Sequence, residues 1–235
     1  NLLGHVWSDG RIHPNFKQDG ARTGRLSCTQ PNLQQQARDS GVRKGFIPDP
    51  GTVFRFADYS QMEMRFAAHF ANDPVLIHGF KHQENFDVHA ATASKMFGVK
   101  TPTKKQRKSA KIFNFATLYG AGVAKITSQL VALLTMKEAQ RALRELDYVP
   151  DPGEPPHRSL ATLLRGRYFE EFPGIKRAKY RASEMFEERG YVINAFGRHR
   201  FMEENEGYKA FNTEIQGSAA DLAKKALVDC YRELQ

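Results

Sequence analysis

The sequence predicts an α+β protein on three observations: compact β-type runs in its first quarter, longer stretches of helical periodicity after them, and a hairpin signal set between helical stretches. Over residues 1–51, Gly, Pro, Asn and Gln interrupt every pattern, so short strands such as 11–16 alternate with loops. Residues 52–57 (TVFRFA) form a β-type run ending at Asp58. A helical pattern follows directly, with Met62, Phe66, Ala67 and Phe70 at helix spacing. Ser60-Gln61-Met62-Glu63 fits a capping box, in which Ser60 caps the helix and Glu63 reaches back. The stretch 150–156 (PDPGEPP) holds Pro150, Pro152, Pro155 and Pro156 and reads as a loop, because proline inside a helix removes a hydrogen bond and crowds the preceding turn. It separates two helical blocks. The second, 160–189, leads into YVINAFGRHRFM at 191–202, a hairpin turning at Phe196-Gly197, and a last helix starts near Lys209.

With 40% hydrophobic residues in a chain of 235, there is enough apolar material for one substantial core or two small ones. Lys and Arg number 35 against 26 Asp and Glu, a net charge of +9 that favours polyanionic partners, nucleic acid first. The charge is concentrated. Over 88–137 there is no Asp or Glu, while Lys95, Lys100, Lys104, Lys105, Arg107, Lys108, Lys111, Lys125 and Lys137 all fall there, which suits a surface facing phosphates. Cys28 and Cys230 show no CxxC spacing, so neither a zinc site nor a disulfide framework is expected, and a reducing compartment fits. No apolar run approaches the ~18 residues of a membrane span, and the N-terminus has no signal-peptide pattern. A cytoplasmic protein with no membrane partner is expected. Asn1 opens the chain without a methionine and Gln235 closes it inside a helical pattern, so both ends read as cut.

Arg107, Lys111, Phe115 and Tyr119 stand four apart in RKSAKIFNFATLYG. On an α-helix each step of four drifts by only ~40°, so the four side chains make one row ~18 Å long. Cations occupy its N-terminal half and aromatics its C-terminal half. That order suits a nucleoside triphosphate lying along the helix, its phosphates at the positive end of the dipole. An amphipathic helix with core aromatics and solvated cations has the same spacing, and spacing does not separate the two. Asp58, at the end of an apolar run, is a candidate metal-binding carboxylate, although an ordinary surface aspartate ending a strand is the more common case.

DYSQMEMR at 58–65 resembles motif A of family A DNA polymerases, and RKSAKIFNFATLYG at 107–120 resembles their motif B. TGRLS...PNLQ at 23–34, FDVHAATA at 86–93 and FNTEIQGSAADLAK at 211–224 follow the family in order. The ending Tyr119-Gly120-Ala121-Gly122 looks more like phage members than bacterial ones. The resemblance implies a right-hand polymerase fold, its antiparallel palm sheet split by mostly helical fingers. Residues 1–65 would be the first part of the palm with motif A, 66–195 the fingers with motif B, and 196–235 the second part of the palm.

By the same resemblance Asp58, with the carbonyl of Tyr59, would hold two magnesium ions, and Arg107, Lys111 and His89 would bind the dNTP triphosphate, Lys111 also protonating the departing pyrophosphate. Ser60 and Gln61 would belong to the same nucleotide site. Glu63 matches the gate that crowds the 2'-position of the sugar, Phe115 a position that discriminates against dideoxynucleotides, and Tyr119 a residue stacked near the templating base. Arg25, Asn32, Arg198, Asn212 and Gln216 match positions that contact primer-template DNA. The pattern departs from the family at Lys108, where arginine is usual, and in lacking a His-Asp-Glu motif C and anything resembling the thumb. The resemblance implies a DNA-directed DNA polymerase, probed alone a poor one, acting as a monomer with or without a processivity factor. A catalytically incomplete nucleic-acid-binding fragment and a single-subunit RNA polymerase are the alternatives, the second disfavoured by Glu63.

Overall fold

A computed structural model of the chain describes residues 2–36 and 41–234. It falls into two compact units, Asn1–Met62 with Gln216–Gln235, and Glu63–Ile215.

In the first unit a short hairpin pairs β1 (Asn15–Lys17) with β2 (Ser27–Thr29), antiparallel, with Phe16 opposite the buried Cys28. The strand expected over 11–16 is therefore displaced, and Ile12 makes only an isolated bridge to Val6. The strand expected over 52–57 does not form. Val53, Phe54 and Phe56 stand 69%, 51% and 89% exposed, since β propensity measures fit to a pleated, half-buried surface and no described strand pairs with this segment.

Helices dominate the second unit. They are α1 (Met62–Ala71, beginning on the first unit's last residue), α2 (Pro74–His82), α3 (Val88–Phe97), α4 (Lys104–Leu118), α5 (Val123–Val131), α6 (Met136–Glu145), α7 (Pro156–Glu171) and α8 (Pro173–Arg189). Their starts are written in local chemistry. Asp73 and Asp87 accept the first free amides of α2 and α3, Thr103 with Gln106 and Thr135 with Glu138 close capping boxes on α4 and α6, and α2, α7 and α8 open on proline. The proline-rich stretch is a loop up to Pro155, as expected, while the block expected over 160–189 is cut in two at Phe172-Pro173. After α8, β3 (Tyr191–Ile193) and β4 (His199–Phe201) form the expected hairpin, with Asn194 Oδ1 accepting the amides of Phe196 and Arg198 and Gly197 taking a positive φ of 81°. A 3-10 turn, Glu204–Lys209, leads into α9 (Ala210–Glu233), which passes from this unit into the other.

The core of the second unit is aromatic and aliphatic. Phe113 meets Tyr168 at 5.5 Å between ring centroids, Tyr168 meets Phe172 at 5.1 Å, and Leu160, Leu164 and Ile175 close around them with no exposed surface. Each such side chain contributes ~1.5–3 kcal/mol on burial. On α1 the buried face is Met64, Ala67, Ala68 and Ala71, while Phe66 and Phe70 pack half-buried on its flank; of the expected row through Met62, Phe66, Ala67 and Phe70, Ala67 is the fully buried member. The helix also begins at Met62, because Gln61 is left-handed at φ 53°, so Ser60 is not its immediate N-terminal neighbour. Among the described residues no helix is long and apolar enough to cross a membrane. Neither Cys28 nor Cys230 forms a disulfide.

Candidate functional site

The capping box at Thr103 fixes the start of α4, and with it which residues face inward. Ala110, Phe113, Asn114, Ala116 and Thr117 are buried against the core. Arg107 and Lys111 are exposed on the opposite side, and Phe115 and Tyr119 are half-buried there. The row predicted at spacing four therefore lies on the open face, and Phe113 rather than Phe115 fills the core. Along the row the Lys111 ammonium sits 6.0 Å from the Phe115 ring centroid, and Phe115 lies 5.7 Å from Tyr119.

Helix α3 packs along α4 and adds His89, whose ring is 5.6 Å from Phe115. Asp87 holds the two helices in register. Its Oδ1 accepts the amides of His89 and Ala90 at 3.0 and 3.1 Å, and its Oδ2 accepts Arg107 Nε at 2.6 Å. Burial raises the Asp87 carboxyl, but the Arg107 guanidinium and the two amides outweigh it and hold it below the ordinary range. His89 is 4% exposed and accepts from Asn114 Nδ2 at 2.9 Å. Thr92 donates its hydroxyl proton to the Val88 carbonyl at 2.7 Å, so its Oγ1 requires a donor, which Asn114 Nδ2 supplies at 3.1 Å. With Nδ1 accepting, the His89 proton resides on Nε2. Burial, with Arg107 and Lys111 adding to it against Asp87, lowers this imidazole to about 4, so it is neutral at pH 7 and a hydrogen-bond donor.

At the far end of the row Tyr119 Oη donates to Glu63 Oε2 at 2.6 Å, joining the C-terminus of α4 to the first turn of α1. Gly120 follows at φ 80°, and a Cβ there would stand 2.7 Å from the Tyr208 carbonyl, so only glycine permits this close approach. Glu63, Asp87, His89, Arg107, Lys111, Phe115 and Tyr119 thus form one continuous surface of the second unit, cationic at one end and aromatic at the other.

The remaining predicted residues are placed as follows. Asp58, Tyr59 and Ser60 are exposed and Gln61 half-buried, in a first-unit segment that is neither helix nor strand. Arg25 is exposed in that unit, and Asn32 caps a 3-10 turn there by accepting Gln34 N at 3.0 Å. Gln216 lies in the same unit, on α9, one turn beyond Asn212. Asn212 is in the second unit with a buried Oδ1 that has no hydrogen-bond partner, and Arg198 stands at the hairpin turn. Among the described residues no three His, Cys, Asp or Glu side chains gather into a possible metal site. Asp58 is a single carboxylate and does not by itself make a cage for two cations.

Two contributors escaped the sequence reading. Asp87 was visible as an aspartate ahead of a helical run, an N-cap pattern. Asn114 offered no signal beyond an amide on the apolar side of α4. The acids that bound the acid-free stretch, Asp87 and Glu138, each take one of its cations, Arg107 at 2.6 Å and Lys105 at 2.5 Å.

The family profile described as DNA polymerase family A matches residues 1–151 and 153–235. The chain belongs to DNA polymerase family A. Among its relatives, the DNA polymerase I of Chloroflexus aurantiacus is 37% identical over 96% of this chain and 23% of its own length. The thermostable DNA polymerase I of Thermus aquaticus is 34% identical over 96% of this chain and 26% of its own length. A solved structure, the POL domain of Pol1 from M. smegmatis in complex with DNA primer-template and dNTP, superposes with a TM-score of 0.77 at 30% identity, covering 99% of this chain and 40% of that one. The family A chain described here therefore spans about a quarter of the length of these curated relatives, and its mostly helical α+β architecture is that of part of a family A polymerase domain.

Proposed function

We propose that the chain is the nucleotide-selecting part of a DNA-directed DNA polymerase, in which the primer 3'-oxygen attacks the α-phosphorus of a dNTP and pyrophosphate leaves. The row on α4 carries this reading. It offers cations for the phosphates at Arg107 and Lys111, a neutral imidazole donor at His89, and a platform for the base at Phe115 and Tyr119. Lys111, as an ammonium, donates the proton that the departing pyrophosphate takes up. Glu63, tethered by Tyr119, crowds the 2'-position of the sugar. Ser60 and Gln61 line the same nucleotide. Arg25, Asn32, Arg198, Asn212 and Gln216 bind primer-template DNA, where side-chain donors meet the groove acceptors common to all base pairs. In this reading 1–65 and 196–235 are palm and 66–195 fingers.

Asp58 and the Tyr59 carbonyl are the ligands this chain offers to magnesium, which when bound would lower the pKa of the primer hydroxyl and neutralise the leaving pyrophosphate. Because Asp58 is one carboxylate, the 235-residue chain alone is expected to extend a primer poorly or not at all. Phage origin, suggested by Tyr119-Gly120-Ala121-Gly122, a host-cytoplasmic location and a monomeric state belong to the same proposal.

Calorimetric titration of the chain with dATP and Mg2+ tests the site. Binding that weakens at least about tenfold in Arg107→Ala/Lys111→Ala supports it, and binding indifferent to both residues sinks it. Robust primer extension by the chain alone would refute the incomplete metal cage. A second reading, a nucleic-acid-binding fragment without chemistry, is favoured by the lack of a metal-ligand cluster among the described residues; primer-template binding that ignores dNTPs would support it.

A further inference from the structure

Helix α2 carries in its last turns two histidines that the nucleotide site does not use. His78 and His82 stand four apart, both exposed, with ring centroids 5.0 Å apart and ring planes at 41°. We propose that the pair is a chelating site for a borderline divalent transition ion, Zn2+ foremost, with water in the remaining coordination positions.

Spacing and separation agree on this. Side chains at i and i+4 of a helix lie one above the other on one face, which is how two histidines of a single helix come to hold one Zn2+. With each nitrogen ~2.05 Å from the ion and each ring centre ~1.1 Å farther out, two imidazoles on a tetrahedral Zn2+ have centroids roughly 5.1 Å apart. The 5.0 Å found here meets that distance without any movement of the helix. Only rotation of two exposed rings is needed to aim a nitrogen of each at the ion.

Both rings are also available. His13, His89 and His157 are each committed to a hydrogen-bond partner, Asp9, Asn114 and the Leu134 carbonyl. Among the described residues His78 and His82 have no such partner and no ion pair, only each other. His82 is the last residue of α2, so the ion would stand where unpaired carbonyls make the helix end negative and favour a cation. Lys81, between the two in sequence, lines a cavity on the neighbouring side of the helix with Arg65, His69 and Phe80. Imidazole nitrogens suit Zn2+, Ni2+ and Cu2+, whereas Mg2+ takes carboxylate and phosphate oxygens. The pair and Asp58 therefore select different ions, and the site holds whether or not the chain binds a nucleotide.

The test is calorimetric titration of the 235-residue chain, free of any affinity tag, with ZnCl2 in millimolar MgCl2, while the histidine side-chain 15N shifts are followed in parallel. Zn2+ is expected to bind and to shift the ring nitrogens of His78 and His82 together. His78→Ala and His82→Ala, both surface changes, are each expected to weaken binding about tenfold or more, because the second imidazole acts as an intramolecular ligand. His82→Ala/Gln83→His keeps the number of histidines but breaks the spacing of four, and is expected to bind as weakly as His82→Ala. Binding that survives either single change, binding restored by the histidine at 83, or shifts confined to other histidines overturns the proposal. So does a parent chain that takes up no Zn2+ from millimolar ZnCl2. Displacement of Zn2+ by rising Mg2+ would assign the ion to carboxylates and overturn it as well.

Discussion

The side-chain amide of Asn114 donates to Nδ1 of His89 at 2.9 Å, and that bond decides which imidazole nitrogen carries the proton. Asn114 is fully buried, so its effect on any ligand passes through His89. Asn114→Leu, close in volume and without a donor, is expected to lose ~1–3 kcal/mol of stability in denaturant melts, because His89 Nδ1 stays buried without a donor and Thr92 Oγ1 loses the bond it accepts while keeping the one it gives to Val88. If Asn114 positions the imidazole, the 15N shifts of His89 will also report a mixture of tautomers, and dATP will bind more weakly. A stability loss with unchanged shifts would leave Asn114 a packing residue only.

In the proposed nucleotide site Asp87 would compete with a triphosphate for Arg107. Its carboxylate accepts Arg107 Nε while also capping α3, and asparagine can keep the cap but not the charge. Asp87→Asn is accordingly expected to raise affinity for pyrophosphate severalfold with little loss of stability, whereas Asp87→Ala costs an additional ~1 kcal/mol through the lost cap. Equal affinities in calorimetry for Asp87→Asn and the parent chain would show that the ion pair does not restrain Arg107.

What the sequence made legible follows from how local each signal is. The row Arg107, Lys111, Phe115, Tyr119 could be read because spacing of four on a helix needs no knowledge of its neighbours, and the hairpin at 191–202 because Asn194 and Gly197 carry its turn chemistry. The split of 160–189 at Phe172-Pro173 was legible in principle, since proline marks a helix start, but the apolar period runs through it. Which side of α4 would be inside was not legible, because Phe113 and Phe115 differ only in which packs on Tyr168. The run at 52–57 misled for the same reason: strand pairing is a property of two segments, and only one was in view.

Glu63 is held by a hydrogen bond from Tyr119 at 2.6 Å, so the proposed gate has a fixed rather than a swinging carboxylate. Tyr119→Phe keeps the ring and removes this hydrogen bond to Glu63. The ratio of dATP to ATP affinity is expected to fall in this variant, and to fall further in Glu63→Ala, by roughly tenfold to a hundredfold, the usual limit for rejecting one extra hydroxyl by shape. An unchanged ratio in Glu63→Ala would remove Glu63 from sugar selection, and an unchanged ratio in Tyr119→Phe alone would show that the gate needs no tether.

Two groups of the second unit give folding opposite dependences on pH. His89 is lowered from 6.5 to about 4 by burial, so its contribution is present above pH 6.5 and is lost as pH falls through 4. Glu214 is raised from 4.5 to about 7 by burial, opposed by Arg181, so its contribution is present below pH 4.5 and is lost as pH rises through 7. Between pH 4.5 and 6.5 the two slopes oppose each other, and variants separate them. Glu214→Gln is expected to gain on the parent chain as pH rises from 4.5 to 7, by on the order of 2 kcal/mol, measured in urea melts across that window. His89→Gln is expected to lose the parent's fall in stability below pH 6.5, so its curve flattens on the acid side. Parallel curves for Glu214→Gln and the parent would mean that the Glu214 carboxyl meets water in the folded chain.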